Sequence, residues 1–221
     1  MNKPSVALSL SVGILILSGW GIQVVRAADC GEPVPAPKYQ VGEKWTWRDE
    51  KGNERTREVV GFEGDLAAIK WSNPRSQPDR EGTLFFDSDW VIRKALRPDG
   101  SVITQQGAGI YTTVGQRLLD FPLQVGKTWE RSYLAQPRTG TLQPYLHRYR
   151  VISCEEIAVP AGKFSALKVE LENHNIRSGR SGVVYNWFSP EAKNYIKSQI
   201  VPSRYWGGDV LDYELIKFES K

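Results

Sequence analysis

The sequence predicts an all-β protein, an antiparallel barrel or half-barrel of about a dozen strands. Its readable segments alternate apolar and polar residues with a period of two, which is the pattern of half-buried strands. These segments are rich in β-branched and aromatic residues, and turn-forming stretches such as RPDG (97–100) and VPAG (159–162) separate them. No stretch carries the apolar stripe of an amphipathic helix.

The first element of the chain is a targeting segment. Lys3 precedes a mostly apolar run from Val6 to Val25, and the residues up to Ala27 fit a signal-peptidase site. We therefore predict a bacterial, Sec-type signal peptide over residues 1–27 and a periplasmic or secreted mature protein. A membrane anchor is the alternative because of the length of the run, but glycines and a glutamine interrupt it. No later segment is apolar enough to span a membrane.

The two cysteines of the chain are Cys30, just past the cleavage site, and Cys154. Lipid-attachment cysteines follow small residues, whereas Asp29 precedes Cys30, so we expect no lipoprotein anchor there. Two cysteines in an exported chain can pair. We predict a Cys30–Cys154 disulfide that ties down the Pro-rich segment 28–38, with two unpaired thiols as the alternative.

The charge balance argues against nucleic acid as a partner. The formal net charge is +4, and loss of the leader removes Lys3, Arg26 and no acid, which leaves +2. Basic and acidic residues are interspersed in the remainder, without a basic block. We read residues 39–221 as a single β domain.

One short phrase occurs twice, as QVGEKW at 40–45 and as QVGKTW at 124–129. In both places a tryptophan strand is followed by an Ala-(Ile/Leu)-Lys strand, a Gly-led aromatic strand and a basic-aliphatic strand. We predict two diverged repeats, about 39–106 and 123–219, whose meanders share one core. Coincidence of turn and strand composition is the alternative.

Two phrases of the second half resemble a known family. ISCEEIAVPAGKFSALKVEL (152–171) and YNWFSPEAKNYIKSQ (185–199) resemble a widespread set of exported bacterial domains of unknown function. The resemblance covers roughly residues 125–219. It implies a β-rich half-barrel similar to the lipoprotein carriers LolA and LolB, which hold acyl chains on an apolar concave surface. It implies no active site, and a shared shape does not transfer a function.

Motifs for catalysis or metal binding are missing from the sequence. There is no nucleophile elbow, phosphate loop or dinucleotide fingerprint. His147 and His174 have no partner at metal-ligand spacing, so we expect surface or packing roles for both. We predict no catalytic residue, metal or cofactor. A glycan hydrolase would need a pair of acids across a cleft, and its candidates are Glu155, Glu156, Glu170, Glu172, Asp212 and Glu214.

Aromatic residues provide the candidate binding site. Trp20 lies in the leader, so seven of the 8 tryptophans remain in the mature chain. Core packing accounts for most of them. The loop at 202–209 has no strand pattern that would bury its rings. The predicted ligand-binding residues are Arg204, Tyr205, Trp206, Trp187 and Trp90.

These observations favour an exported, non-enzymatic binding or carrier protein. Its ligand would be an apolar or amphipathic envelope molecule, such as a lipid, an acyl chain or a glycan, or else an envelope protein. Two alternatives stay open: a glycan-acting hydrolase with an Asp/Glu pair, and a structural or assembly protein of the envelope without a small ligand.

Overall fold

The described part of the chain forms one antiparallel sheet of eleven strands. This computed structural model describes residues 31–74, 80–103, 117–135, 143–203 and 212–220. The strands are β1 (Lys44–Asp49), β2 (Glu54–Glu63), β3 (Leu66–Ser72), β4 (Glu81–Phe86), β5 (Ile92–Leu96), β6 (Thr128–Ala135), β7 (Gln143–Val159), β8 (Gly162–Asn175), β9 (Arg180–Ser189), β10 (Asn194–Ile200) and β11 (Tyr213–Glu219).

The strand order is β5-β4-β3-β2-β1-β11-β10-β9-β8-β7-β6. Strands β1 to β5 form a first meander, strands β6 to β11 form a second, and the pairing of β1 with β11 joins them. The all-β, antiparallel prediction is confirmed. The sheet is open, with β5 and β6 as its end strands, so the predicted half-barrel describes it and the closed barrel does not. No helix of the described residues has the length and apolar character to cross a bilayer.

The sheet curls over its own inner face. Trp90, in the turn between β4 and β5, packs its ring against Phe188 of β9 and Tyr195 of β10, with centroids 5.7 and 6.3 Å apart. Ile92 of β5 shares a second core cluster with Phe164 of β8. Strands far apart in the sheet order therefore meet, and the apolar face of one meander covers that of the other.

Each QVG phrase forms the same turn. Gly42 and Gly126 both have a φ of 90°, a left-handed conformation that favours glycine. The Gly42 amide donates to the Val59 carbonyl at 2.7 Å, and the Gly126 amide donates to the Val151 carbonyl at 2.8 Å. Each turn thus docks through the same hydrogen bond on the second strand of its meander, which is β2 for the first turn and β7 for the second.

Irregularities in the ladder also recur at matched places. The register shifts just after Val59 in the β2–β3 pair and just after Val151 in the β7–β8 pair. It shifts again in the β4–β5 and β9–β10 pairs. The turns that precede β5 and β10 carry the two left-handed residues other than glycine in the described ranges, Trp90 and Lys193, with φ values of 59° and 54°. Bulges of this kind bend and twist a sheet, so both meanders curl in the same way.

The matched turns, bulges and strand order support duplication, which stays a prediction. They also change the alignment of the repeats. Val59 pairs with Ile69 and Val151 pairs with Val169, so Ile69 is equivalent to Val169. The shared Ala-(Ile/Leu)-Lys letters place Ile69 beside Leu167, two residues away from this structural match.

A buried ion pair joins the two meanders. Glu43, in the first QVG turn, is completely buried, and its carboxylate pairs with the Lys193 ammonium from the turn before β10. The Gln40 amide donates to the same carboxylate at 2.9 Å, and Lys193 Nζ also donates to the Lys38 carbonyl at 2.7 Å. These additional hydrogen bonds satisfy both charges, as a buried pair requires.

We predict that alanine at either turn glycine destabilises the fold. A left-handed backbone costs an L-residue about 1–2 kcal/mol, so Gly42→Ala and Gly126→Ala should each lower the free energy of unfolding by about that amount. No atom lies within 4 Å of a Cβ built at Gly126 or at Gly61, but Gly61 has no left-handed φ. Gly61→Ala is therefore the control, with little change expected in urea unfolding. Equal losses at Gly61 and Gly126 would contradict the argument.

The paired tryptophans give a second prediction. Trp45 is fully buried and its Nε1 donates to the Ala192 carbonyl at 2.6 Å, while Trp129 is buried and stacks on Tyr149 with centroids 4.8 Å apart. Loss of a large buried ring costs about 3–5 kcal/mol, so Trp45→Ala and Trp129→Ala should each lose that much. Because the meanders share their cores, each variant should melt in one transition by calorimetry. Two separated transitions would show that the meanders unfold independently.

Candidate functional site

The inner face of the sheet is sealed by apolar side chains towards the end that carries the QVG turns, here called the QVG end. The core there draws on Trp90 of the first meander, on the segment that precedes β6 and on strands of the second meander. Its buried members are Trp90, Leu119, Leu123, Trp129, Tyr149, Val151, Leu167, Val169 and Phe188.

Beyond this core, towards the opposite end, the inner face of the second meander becomes polar. This opposite end, here called the loop end, carries the connections at 50–53 and 176–179, the end of β10 at Ile200 and the start of β11 at Tyr213. The alternation of β7 to β10 puts one set of polar residues on the same side as Val151 and Val169. They are nevertheless buried: His147, Asn173, Asn175, Asn186 and Ser198.

The matched register shows where this polarity arises. In the first meander, Leu84 pairs with Ile69 on one side and with Ala95 on the other. At the equivalent place in the second meander, Asn186 pairs with Val169 and with Ser198. At these two equivalent positions the interior row carries apolar side chains in the first meander and polar side chains in the second. Because buried polar groups cost stability unless they are satisfied, this row is a candidate for function.

Two arginines occupy the inner face of β2 at the loop end. The guanidinium carbon of Arg55 lies 3.2 Å from the ring centroid of Tyr213 and 5.6 Å from that of Trp47. The guanidinium of Arg57 lies 5.8 Å from the same Trp47 ring. These four residues are called the arginine cluster below. Its rings hold both cations by cation–π contacts.

The arginine cluster has no counter-charge in the described part of the chain. Neither Arg55 nor Arg57 makes an ion pair there, and the buried Nε of Arg55 has no hydrogen-bond acceptor. Burial, and then the neighbouring Arg55 charge, lower the pKa of the Arg57 guanidinium below its ordinary value. Guanidinium still remains charged at neutral pH, so the cluster carries unpaired positive charge.

A second cluster lies on β6 and β7. His147 is 4% exposed, its Nε2 is 2.7 Å from the Tyr133 hydroxyl, and its Nδ1 is 3.1 Å from the Tyr149 hydroxyl. Tyr145 stacks on Tyr133 with centroids 5.4 Å apart. These four residues are called the histidine cluster. Burial lowers the pKa of His147 to about 4, so the imidazole is neutral at pH 7. One ring nitrogen then donates to a tyrosine oxygen while the other accepts from a hydroxyl.

The two clusters occupy equivalent positions of the two meanders. Arg55 and Arg57 lie four and two residues before Val59 on β2, and His147 and Tyr149 lie four and two residues before its equivalent on β7. The duplicated arrangement of strands therefore presents two arginines without an acid partner among the described residues on one side. On the other side it presents the histidine cluster beside Arg131, whose guanidinium lies 3.8 Å from Asp120.

Tyr195 lies between the clusters. Its hydroxyl is within electrostatic range of Tyr149 on one side and of Tyr213 and Arg57 on the other. Burial, followed by these tyrosines, raises its pKa well above the ordinary value. The hydroxyl stays protonated and can act as donor or acceptor between the two clusters.

The two described residues among the predicted binding residues lie outside this polar region, since Trp90 belongs to the core of the QVG end and Trp187 faces the side opposite to Asn186. Trp90 and Trp187 are 2% and 4% exposed, so both are packed among other side chains and neither presents an open ring face. Trp187 lies against Lys168, with Nζ 5.0 Å from the ring centroid, and its Nε1 donates to Glu155. Their part in ligand binding stays a prediction. Arg204, Tyr205 and Trp206 lie outside the described residues.

The sequence-based search missed Arg55, Arg57 and Asn186. The signal that could have found the arginines is their spacing, since residues two apart in a strand share a face. That face also carries Val59, which indicates the core side. Asn186 could have been found only by aligning the repeats through their turns rather than through their shared letters. The expected packing role of His147 agrees with its burial.

The acids considered for a glycan hydrolase all have local partners. The Trp187 indole donates to Glu155, and the Ile200 amide donates to Asp212 at 2.7 Å. The other four pair with cations, namely Glu156 with Lys163, Glu170 with Arg150, Glu172 with Arg148, and Glu214 with Lys197. Within the described ranges, no group of three His, Cys, Asp or Glu side chains could hold a metal ion.

Cys154 lies on β7 and packs, half-buried, against the core of the QVG end. No cysteine of the described residues is free. Cys30 lies outside those residues, as does the leader. The Cys30–Cys154 bond, the cleavage site and the expectation about lipid attachment therefore stay predictions.

Comparisons with known proteins give only distant similarities in shape. No family model matches the chain, and no curated protein matches it. The hypothetical lipoprotein YmcC from Escherichia coli aligns at 14% identity over 88% of this chain and 93% of its own, with a TM-score of 0.45. A provisionally assigned lipoprotein from Parabacteroides distasonis aligns at 14% identity over 85% and 100%, with a TM-score of 0.41.

A third solved structure is a provisionally assigned exported protein with a YmcC-like fold from Bacteroides fragilis. It aligns at 14% identity over 86% of this chain and 100% of its own, with a TM-score of 0.39.

The lowered pKa of His147 predicts an acid-sensitive fold. The unfolded state binds a proton near the ordinary pKa of about 6.5, whereas the folded state resists it until about pH 4. Stability should therefore fall as the pH drops from 7 to 4, by up to about 3 kcal/mol from this residue. His147→Gln removes the titration, so its free energy of unfolding should fall less over that range. Carboxylate titrations are common to both proteins and cancel in the difference. Parallel pH profiles would show that His147 is protonated as readily in the folded state.

Proposed function

We propose that the chain is an exported, non-enzymatic binding or carrier protein that holds an amphipathic envelope ligand at the loop end of its curled sheet. The predicted signal peptide supports export to the periplasm or beyond. The observation that carries the binding proposal is the change from an apolar to a polar interior row between equivalent positions, Leu84 and Ala95 in one meander and Asn186 and Ser198 in the other.

A structural protein without a ligand would gain no stability from polar side chains at these interior positions. Buried polar groups lower stability unless every one is satisfied, and the first meander shows that the same backbone accepts apolar residues in that row. Polar groups beside aromatic rings are typical of pockets that fix the orientation of a small molecule. The binding proposal therefore explains the row better than the structural alternative does.

The hydrolase alternative has no observation in its favour. Each of its candidate acids is engaged in a local contact, and most of those contacts are ion pairs between neighbouring strands. A lipid and a glycan both remain within the class of ligand proposed, because acyl chains pack against apolar walls and sugar rings stack on tyrosine.

The proposal predicts that a ligand accompanies the protein out of its native envelope. Mass spectrometry of protein extracted under mild conditions should detect a lipid or another amphipathic molecule in near-equal amount. Asn186→Leu copies the first meander, so it should keep or raise the free energy of unfolding while lowering the amount of retained ligand. Glu170→Gln, on the outer face of neighbouring β8, should change neither quantity.

Three results would contradict the proposal. The first is native protein that carries no ligand and takes up none from an envelope lipid extract. The second is an Asn186→Leu variant that is less stable and retains as much ligand as before, because the asparagine would then serve the fold alone. Turnover of esters or glycosides by the purified protein, abolished by one acid or serine substitution, would replace binding with catalysis.

A further inference from the structure

We propose that the Arg55–Arg57 pair binds the anionic group, a carboxylate or a phosphate, of the amphipathic ligand. This inference rests on the proposed function and adds to it the chemical class of the head group. Two inward cations that have no acid partner among the described residues, held against aromatic rings at the loop end, are the observation that carries it.

The charges of β2 are segregated by face. Glu54 and Glu58 alternate with the arginines along the strand, so they point outward. There Glu54 pairs with Arg48 at 2.7 Å and Glu58 pairs with Lys44 at 3.8 Å. The acids that could have neutralised the arginines are thus used on the other side of the sheet, and the inner face keeps its positive charge.

Two like charges two residues apart on one face repel each other, and partial burial strengthens the repulsion. The electrostatic neighbours of Arg57 are Arg55 and three tyrosines, Tyr39, Tyr195 and Tyr213, with no acid among them. An anion between the guanidinium groups would relieve the repulsion and provide the acceptor that the buried Arg55 Nε lacks.

Aromatic stacking prepares the guanidinium groups for this role. The Arg55 side chain crosses β1 to lie over the Tyr213 ring at 3.2 Å, and Trp47 lies within 6 Å of both arginines. A guanidinium that stacks through its face keeps its N–H groups in the plane, where they can donate to a carboxylate or phosphate in pairs.

The rest of the interior suits the uncharged part of the ligand. From Tyr213 the inward row continues through Ser198 and Asn186. Beside Asn186 the row ends in the apolar Val169 and Val151. The histidine cluster, where His147 is neutral at pH 7, lies nearer the loop end on β6 and β7. Among the described residues the arginine cluster has no acid partner, whereas the inward Arg131 beside the histidine cluster lies 3.8 Å from Asp120. This difference in unpaired charge would fix the direction in which an amphipathic molecule enters.

The test compares four probes on the delipidated full-length mature protein. Dodecanoate and dodecyl phosphate carry the two candidate head groups on one chain, dodecanol is the uncharged counterpart, and inorganic phosphate is the head group alone. Binding is followed by tryptophan fluorescence and by calorimetry. We expect at least one of the two anionic amphiphiles to bind about tenfold more tightly than dodecanol, as charge-assisted hydrogen bonds allow.

Substitutions assign that preference to the two arginines. Arg55→Gln and Arg57→Gln should each remove most of the preference for the anionic probe and leave dodecanol binding unchanged. Arg57→Lys keeps the positive charge and should keep part of the preference. Its retained binding would show that the loss in Arg57→Gln comes from the missing charge and not from unfolding. Arg48→Gln removes a cation from the outer face of neighbouring β1 and should have no effect.

Three outcomes overturn the inference. Equal affinity for dodecanol and both anionic amphiphiles in the unmodified protein would leave an apolar binding site without an anion subsite, and the proposed function would stand. Inorganic phosphate that binds as tightly as dodecyl phosphate would make the ligand a free anion rather than an amphiphile. Binding of none of the four probes would overturn the inference and the proposed function together.

Discussion

In the described part of the chain the eleven strands form a single sheet without a second layer of strands or helices, so most of its apolar face is covered by the curl of the sheet itself. The other features of the structure follow from this constraint. Bulges after Val59 and Val151 bend the two meanders at matched points. The left-handed glycine of each QVG turn then docks the turn on the bent strand. The ion pair of Glu43 with Lys193 fixes one meander against the other.

A curled sheet leaves an interior whose two ends need not be alike. The QVG end is filled by rings and aliphatic chains, among which Trp90 contacts Phe121, Phe188 and Tyr195. At the loop end the same strands turn polar side chains inward. The apolar end accounts for most of the buried core, and the polar end is where the two clusters lie.

Local patterns in the sequence were enough to predict the fold class, because strand alternation and turn residues act over a few neighbouring positions. The QVG turns belong to the same category, since a glycine at a left-handed position is a local requirement. The RPDG and VPAG turns also fall where strands end, with Gly100 and Gly162 at positive φ.

Features that depend on the curl could not be predicted in this way. The burial of Trp90 depends on contacts with β9 and β10, which lie far away along the chain. Arg55 and Arg57 look like ordinary surface charges until the position of Trp47 and Tyr213 is known. Sequence identity alone aligns the two repeats two residues away from their structural match, because the positions of the bulges decide which strand residues are equivalent.

The left-handed turn before β5 and its counterpart before β10 make each meander depend on the other for its packing. Trp90, from the first meander, enters the core of the second, and Lys193, from the second, reaches the buried carboxylate of the first. The exchange is reciprocal, as in the interface of a symmetric dimer in which each subunit gives what it receives. Here one chain provides both partners, so the concentration of the partner is fixed by covalent connection and assembly cannot be lost by dilution.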